Sequence, residues 1–504
     1  VATLVLSGLD LDLATVAALR PHAAARLAPD AVERMLASRG AVERAVAEQR
    51  NSYGITTGFG AFANRRIPPG KVLELQTNLV RSHATGVGTP LDPVHTRRIL
   101  LLKANNLAAG HSGVRPAVVE ALLALLARDV LPIIPGRGSV GASGDLAPLA
   151  HLALALIGEG EAIQDGRRLD GAAVCAAAGF APLRLEAKEG LALLNGTQVS
   201  TALAIDGHER TRRLLEAAIV IGALTVEALA GSHAPFDPRI HAVRGQAGQR
   251  VVAAALARLL EGSAIHASHA NCDRVQDPYA VRCMPQVIGA ARDTVEHAAR
   301  VLQAEVNGVS DNPLIFGDDI LSGGNFHAAP IGLVADFLAI ALTDVASQSE
   351  RRTDLLDRRV NPALNMFLTT EPGVESGFMI AHVTAAALAS ENKTLAHPAS
   401  VDSIPTSAGQ EDHVSMAPWA AHKLISICGN TATILAIEWL AAAHAIDSQR
   451  PLRTSVALEG AHALLRAAVP FQPRDHRLDR EIGAATALVS DERLTAVLHE
   501  APAA

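Results

Sequence analysis

Apolar residues recur three and four positions apart along much of the chain, a period that predicts helices. The clearest stretch runs from Asn195 to Leu229. It has no proline, and Leu203, Leu214, Leu215, Ile219, Ile221, Leu224 and Val226 fall on the repeat. A helix of that length would span roughly 50 Å. Long helices are also predicted over Met284 to Val306, Pro330 to Arg359, Ser376 to Leu395 and Ala417 to Ala443, with Pro330 suited to a first helical position. Several are apolar nearly all round, which implies burial in a bundle, within the chain or between subunits.

The first part of the chain reads differently. Gly54, Gly58, Gly60, Pro68, Pro69, Gly86, Gly88, Pro90, Gly110 and Gly113 break it into short segments. Helices are predicted between the breaks, at about Ala31 to Asn51, Pro93 to Ala108 and Pro116 to Arg128. A loop rich in glycine and proline, Pro132 to Gly144, then precedes a helix from about Asp145 to Ile157. The expected fold class is mainly α, with a long-helix bundle core and an irregular N-terminal region. The approximate division is residues 1–195 and 196–504.

Composition narrows the function classes. The chain is 49% hydrophobic and only 3% aromatic, which favours helices. Its formal charge of −7 is small for 504 residues, and the basic residues are scattered, so a nucleic-acid footprint is not expected. Cys175, Cys272, Cys283 and Cys428 form no C-x-x-C pair, which points to a reducing compartment. Val1 to Leu13 already carries Asp10 and Asp12, unlike a secretory leader. Apolar stretches such as Ala217 to Val226 end in charges short of a membrane span. The expectation is a soluble cytoplasmic protein, with room for residues ahead of Val1. His266 and His269 make a pair without a complete ligand set, so no metal is expected.

The strongest chemical signal is Gly138-Ser139-Val140-Gly141-Ala142-Ser143-Gly144-Asp145-Leu146-Ala147-Pro148-Leu149. In a tightly bent Ala-Ser-Gly, the amide nitrogen of Gly144 can attack the carbonyl carbon of Ala142 and close a five-membered ring. Loss of the new hydroxyl as water conjugates the ring, and loss of the Ser143 hydroxyl leaves an exocyclic methylidene. This chemistry needs a small residue at 142, a β-hydroxyl at 143 and an unhindered nitrogen at 144, with glycines to permit the strain. The product is an electrophile of the kind usually supplied by an external cofactor. A bare Ala-Ser-Gly triplet is more often a turn before a helix, with Asp145 as its cap.

The full twelve-residue string resembles the signature of the histidine and phenylalanine ammonia-lyase family, and the likeness runs from about Thr3 to near the end. The resemblance implies a 4-methylidene-imidazole-5-one cofactor formed from Ala142, Ser143 and Gly144, without an external cofactor. It further implies a homotetramer with active sites shared between subunits. In Tyr53-Gly54-Ile55-Thr56-Thr57-Gly58-Phe59-Gly60, the resemblance makes Tyr53 the base that removes the substrate's β-proton. In Gln276-Asp277-Pro278-Tyr279-Ala280-Val281-Arg282-Cys283-Met284-Pro285-Gln286, it makes Arg282 the carboxylate fork and places Gln276 and Tyr279 near the electrophile. Asn195 matches a residue that touches cofactor and substrate carboxylate, although Asn at a helix start is also an ordinary cap. Phe326, in Ser322 to His327, matches an aromatic that shields the cofactor or simply packs the core. Asn307 to Pro313 is a further family string, read as a structural turn.

Two places bear on the substrate. Ser82-His83 looks like the members that take histidine, and Glu411, in Gln410 to Met416, has no counterpart in phenylalanine-type members. A carboxylate suits an imidazole N–H, whereas a phenyl ring would face an unpaired charge. The expected reaction is elimination of ammonia from L-histidine to give trans-urocanate. The alternatives are a phenylalanine or tyrosine ammonia-lyase or an aminomutase on the same scaffold, or, in another class, an inactive helical scaffold. Thr56, Met284, Ala329 and Gly409 depart from the histidine-type pattern and put the substrate in question.

Overall fold

The computed structural model describes residues 3–269 and 274–498. Cys272 lies outside the described residues. The fold is mainly α. Its long helices are Gln198–Ala228, Met284–Val306, Ala329–Asp357, Met379–Leu395 and Ala417–Asp447. Each sits within a few residues of where the apolar period places it. The differences have local causes. The helix expected from Ser376 starts at Met379, after Gly377 takes a left-handed backbone (φ 55°). The helix expected through Arg359 ends at Asp357, and Arg359 is left-handed (φ 57°). Pro330 is the second residue of that helix, not the first.

The Pro93–Ala108 and Pro116–Ala127 helices begin on proline, whose fixed φ and missing N–H suit a first helical position. The helix after the glycine-rich loop covers Leu146–Leu156. Val72–His83 is a further helix, and it carries His83 on its last turn.

Two helices, Ala329–Asp357 and Ala417–Asp447, are long and apolar enough to cross a membrane by length and composition alone. This corrects the expectation that every apolar stretch falls short of a span. Both are mostly buried inside the protein, which accounts for much of their apolar character.

The chain divides into two compact units. The first comprises Val1–Asp206, Ala299–Ala335 and Pro398–His422, and the second comprises Gly207–Ala298, Asp336–His397 and Lys423–Ala504. The first unit holds short strands. Val87–Pro90 pairs antiparallel with Pro135–Arg137, which leads directly into the Gly138–Gly144 loop. Its core includes Ala41, Val42, Ile55, Val72, Ala187 and Ile315, all buried.

Candidate active site

Contacts from two segments of the first unit, around Ser415 and around Gly196, clamp the Ala142-Ser143-Gly144 loop. Met416 N donates to Val140 O (2.8 Å), and Ser415 Oγ donates to Gly141 O (2.8 Å). Asp145 N donates to Gly196 O (2.7 Å), and Gly144 and Gly196 form a parallel β-bridge. Gly141 and Gly144 are left-handed (φ 65° and 73°). A Cβ on Gly144 would lie 2.3 Å from Gly196 O, so only glycine fits there. Ala142 is buried and small. The three residues that the ring closure requires are thus present in a bent, tightly held loop. Gly144→Ala adds strain on the order of 1–3 kcal/mol from the left-handed backbone alone, besides the clash. The expected outcome is a chain whose intact mass by mass spectrometry equals its sequence mass.

Asp145 does not cap its own helix through its side chain. Its buried carboxylate instead accepts from Ser200 N (2.8 Å), Ser200 Oγ (2.8 Å) and Ser139 Oγ (3.0 Å). It therefore satisfies an orphan N–H in the first turn of the Gln198–Ala228 helix, and it ties that helix to the loop. Burial pushes the Asp145 carboxyl up against these hydrogen bonds.

Ser143 is held in its encoded form by Glu411, to which its Oγ donates (2.7 Å). Thr406 Oγ1 donates to the other Glu411 oxygen (2.6 Å). Burial raises the Glu411 carboxyl. The hydrogen bonds from Thr406, Ser143 and Ser407, with the charge of His83, together outweigh it and leave the group below its ordinary value. His83 is half-buried, and its Nδ1 lies 2.9 Å from Leu79 O. That contact assigns the proton to Nδ1 and leaves Nε2 as the acceptor of the neutral ring. Burial lowers the His83 imidazole, against the Leu79 bond and the Glu411 charge.

Tyr53 stands on a loop pinned from below. Ile55 enters the core cluster, and a Cβ on Gly54 would meet Leu191 Cδ2 at 2.3 Å. Ser52 N donates to Thr56 Oγ1 (2.9 Å), and the same hydroxyl donates to Arg50 O. Tyr53 itself is half-buried, with its hydroxyl oxygen accepting from Gly60 N (3.1 Å) and its ring edge-on to Phe59.

Asn195 follows the short Glu189–Leu194 helix and is extended, not helical as its place at the start of the predicted long helix implied. The Gly196 contacts to Gly144 and Asp145 draw this segment out. Phe326 is half-buried, and its neighbour His327 reaches His413 O (3.1 Å), next to the Glu411 segment. The first unit thus brings together the Ser143, Glu411 and His83 groups and sets Asn195 beside Gly196.

Gln276, Tyr279 and Arg282 belong to the second unit. Their loop is anchored by Asp277, which accepts from Ser232 N (2.7 Å) and pairs with Arg274 (3.0 Å). Gln276 is exposed, and Tyr279 is 71% exposed. The Arg282 guanidinium stacks over the Tyr279 ring (4.7 Å), while its buried Nε finds no hydrogen-bond partner among the described residues. A planar cation with an unused donor is suited to a carboxylate.

The departures noted in the sequence fall in structural places. Thr56 closes the Tyr53 turn. Met284 is fully buried, with its sulfur against Gly222. Ala329 starts a helix, and Gly409 is left-handed with open space where a Cβ would be.

Buried lysines are the main feature that the sequence reading missed. Lys103 donates to Asn195 O, and Lys188 pairs with Asp311 (2.6 Å). Burial lowers the Lys103 ammonium to about 7, with Asp311 and Asp145 opposing that fall and Lys188 adding to it.

Residues 11–467 match the sequence pattern of a family described as aromatic amino acid lyase. Histidine ammonia-lyase of Paracidovorax citrulli (strain AAC00-1) is 54% identical over 476 residues, 93% of each chain. The crystal structure of histidine ammonia-lyase from Trypanosoma cruzi superposes with a TM-score of 0.90 at 39% identity, covering 99% of this chain and 95% of that one. Tyrosine aminomutase from Streptomyces globisporus superposes with a TM-score of 0.92 at 35% identity, covering 99% and 98%.

Proposed function

The chain belongs to the aromatic amino acid lyase family and is a carbon–nitrogen lyase, and we propose that it eliminates ammonia from L-histidine to give trans-urocanate. The observation that carries this reading is the Glu411 carboxylate, 2.7 Å from Ser143 Oγ and within the field of His83. It sets an acceptor for an imidazole N–H beside the Ala142-Ser143-Gly144 triplet. A substrate ring without a donor would leave the Glu411 oxygen that faces Ser143 without that pairing.

In this reading Ala142, Ser143 and Gly144 form the methylidene-imidazolone, which supplies an electrophilic carbon that makes the substrate nitrogen a better leaving group. Every other task falls to side chains. Arg282 holds the carboxylate through its planar fork, with Gln276 and Tyr279 beside it. Glu411 and His83 fix the imidazole. Asn195 and Phe326 line the reacting end, and Phe326 keeps water from it. Tyr53 accepts the β-proton at its phenolic oxygen.

Incubation with L-histidine, L-phenylalanine and L-tyrosine tests the assignment through the ultraviolet absorbance of each conjugated acid. Urocanate is the expected product. Formation of a β-amino acid or of cinnamate or coumarate in its place would overturn the substrate assignment. Glu411→Gln is expected to keep the two-water mass loss while kcat/KM for L-histidine falls about 10- to 100-fold, the scale of one charge-assisted hydrogen bond.

The assembly is assigned as a homotetramer with shared sites, in the cytoplasm. Leu333, Phe337 and Ile340, spaced along one face of the Ala329–Asp357 helix, are each more than 40% exposed, an apolar stripe suited to a subunit contact.

A further inference from the structure

We propose that Lys188 and Asp311 are positioning residues that lock the Asn195 side-chain amide in one orientation, with its carbonyl oxygen as the group offered to the site. This inference rests on the reading of Asn195 as a site residue. It gives a task to the Asn307–Pro313 string, which the sequence presents only as a turn.

The geometry is specific. Asn195 Nδ2 donates to Asn312 O (3.0 Å) and to Asp311 Oδ1 (3.3 Å). Two acceptors face the same end of the amide, so that end is nitrogen, because a flipped amide would set oxygen against a carboxylate and a carbonyl. Asp311 is held for this purpose from the far side. Its Oδ2 accepts from Lys188 Nζ (2.6 Å), and both side chains of the pair are fully buried. Its Oδ1 also accepts from Asn312 N (2.6 Å). Lys188 reaches it from a left-handed backbone (φ 74°), a conformation that costs a non-glycine residue energy and persists only where its surroundings impose it. Lys103 Nζ donates in addition to the main-chain carbonyl of Asn195.

Both donors of the amide are therefore committed within the chain, while Oδ1 of this 3%-exposed residue has no hydrogen-bond partner among the described residues. Such an atom is an acceptor awaiting an N–H or O–H. A carboxylate has neither to offer, so the expected contact of Asn195 with a carboxylate is replaced by contact with a donor, the substrate's amino nitrogen. Gly196, the next residue, carries the bridge to Gly144, so the amide is fixed relative to the triplet.

A double-mutant cycle on the full-length protein tests the proposal, using Asp311→Asn, Asn195→Ala and the double variant. Each is scored by intact mass, thermal melting and kcat and KM for deamination. Asp311→Asn retains the side-chain volume and lets the amide at 195 flip. It is expected to keep the two-water mass loss and to lower kcat about 100-fold, the scale of a small misplacement of a reacting partner. In the Asn195→Ala background the same change is expected to cost less than about threefold, because its effect passes through the missing amide. Equal losses in the two backgrounds, or no loss in either, would overturn the proposal. Should Asp311→Asn fail to fold, Asp311→Glu makes the same test, since it keeps the charge for Lys188 and moves the acceptor away from Asn195. If L-histidine is not the substrate, the cycle runs unchanged on whichever amino acid the parent protein deaminates.

Discussion

Ser143→Ala is expected to leave expression at the mass its sequence dictates and to lose deamination by on the order of 10⁴-fold or more, the scale at which removing a covalent catalytic group leaves only binding and electrostatics. The parent is expected to be lighter than its sequence by two waters, one from the Ala142 carbonyl oxygen and one from the Ser143 hydroxyl. Alanine has no β-hydroxyl to lose, so no methylidene can form. The structural cost is small. Among the described residues Ser143 Oγ makes one side-chain hydrogen bond, to Glu411, and that carboxylate keeps its bond from Thr406. The loop is held by backbone groups of Val140, Gly141 and Asp145, none of which the substitution touches. A normal melting temperature together with lost activity would therefore locate the defect in chemistry. Full activity in Ser143→Ala, or a parent protein at its unreduced mass, would remove the basis of the proposed mechanism.

Periodicity is a local property, and it made the long helices legible. Met284–Val306 could be placed to the residue, because its apolar stripe is regular and its ends are marked by Pro285 in the first turn and Gly308 just beyond. The start of the Gln198–Ala228 helix was less legible. Asn195 to Thr197 carries no proline to mark the helix start, and tertiary contacts of Gly196 to Gly144 and Asp145 hold the segment outside the helix. Asp145 shows the same limit. Its position before Leu146 reads as a cap for the next helix, and only the fold reveals that it serves Ser200, 55 residues on. The chemical residues Tyr53, Ser143 and Arg282 stood out because the strings around them resemble those of a known family, with the rarity of tyrosine adding to the signal at Tyr53. The Lys188–Asp311 pair did not. Its partners lie 123 residues apart, and a lysine next to Glu189 reads as an exposed charge. No spacing rule links two such residues before the segments 299–335 and 398–422 return to the first unit.

Tyr53→Phe is the second large effect, and it isolates proton transfer from cofactor formation. Removing a positioned general base costs about 10²- to 10⁴-fold. The loss is expected in kcat, with KM little changed, since the hydroxyl acts on the β-hydrogen as it leaves and adds little to ground-state binding. Phenylalanine keeps the ring and its edge-on contact with Phe59, whose centroid lies 6.4 Å away. The only hydrogen bond lost among those described is the one accepted from Gly60 N (3.1 Å), worth about 1 kcal/mol at a half-buried position. The loop itself remains fixed by Ile55 in the core and by the Thr56 hydroxyl. Intact mass should show the same two-water loss as the parent, so the electrophile is present while turnover fails. Rapid kinetics with β-deuterated L-histidine supply the deciding readout. If Tyr53 takes the proton, the residual activity of Tyr53→Phe should carry a larger deuterium effect than the parent, because the proton-removal step then limits the rate. Parent-like kcat in Tyr53→Phe would transfer the role of base to another group.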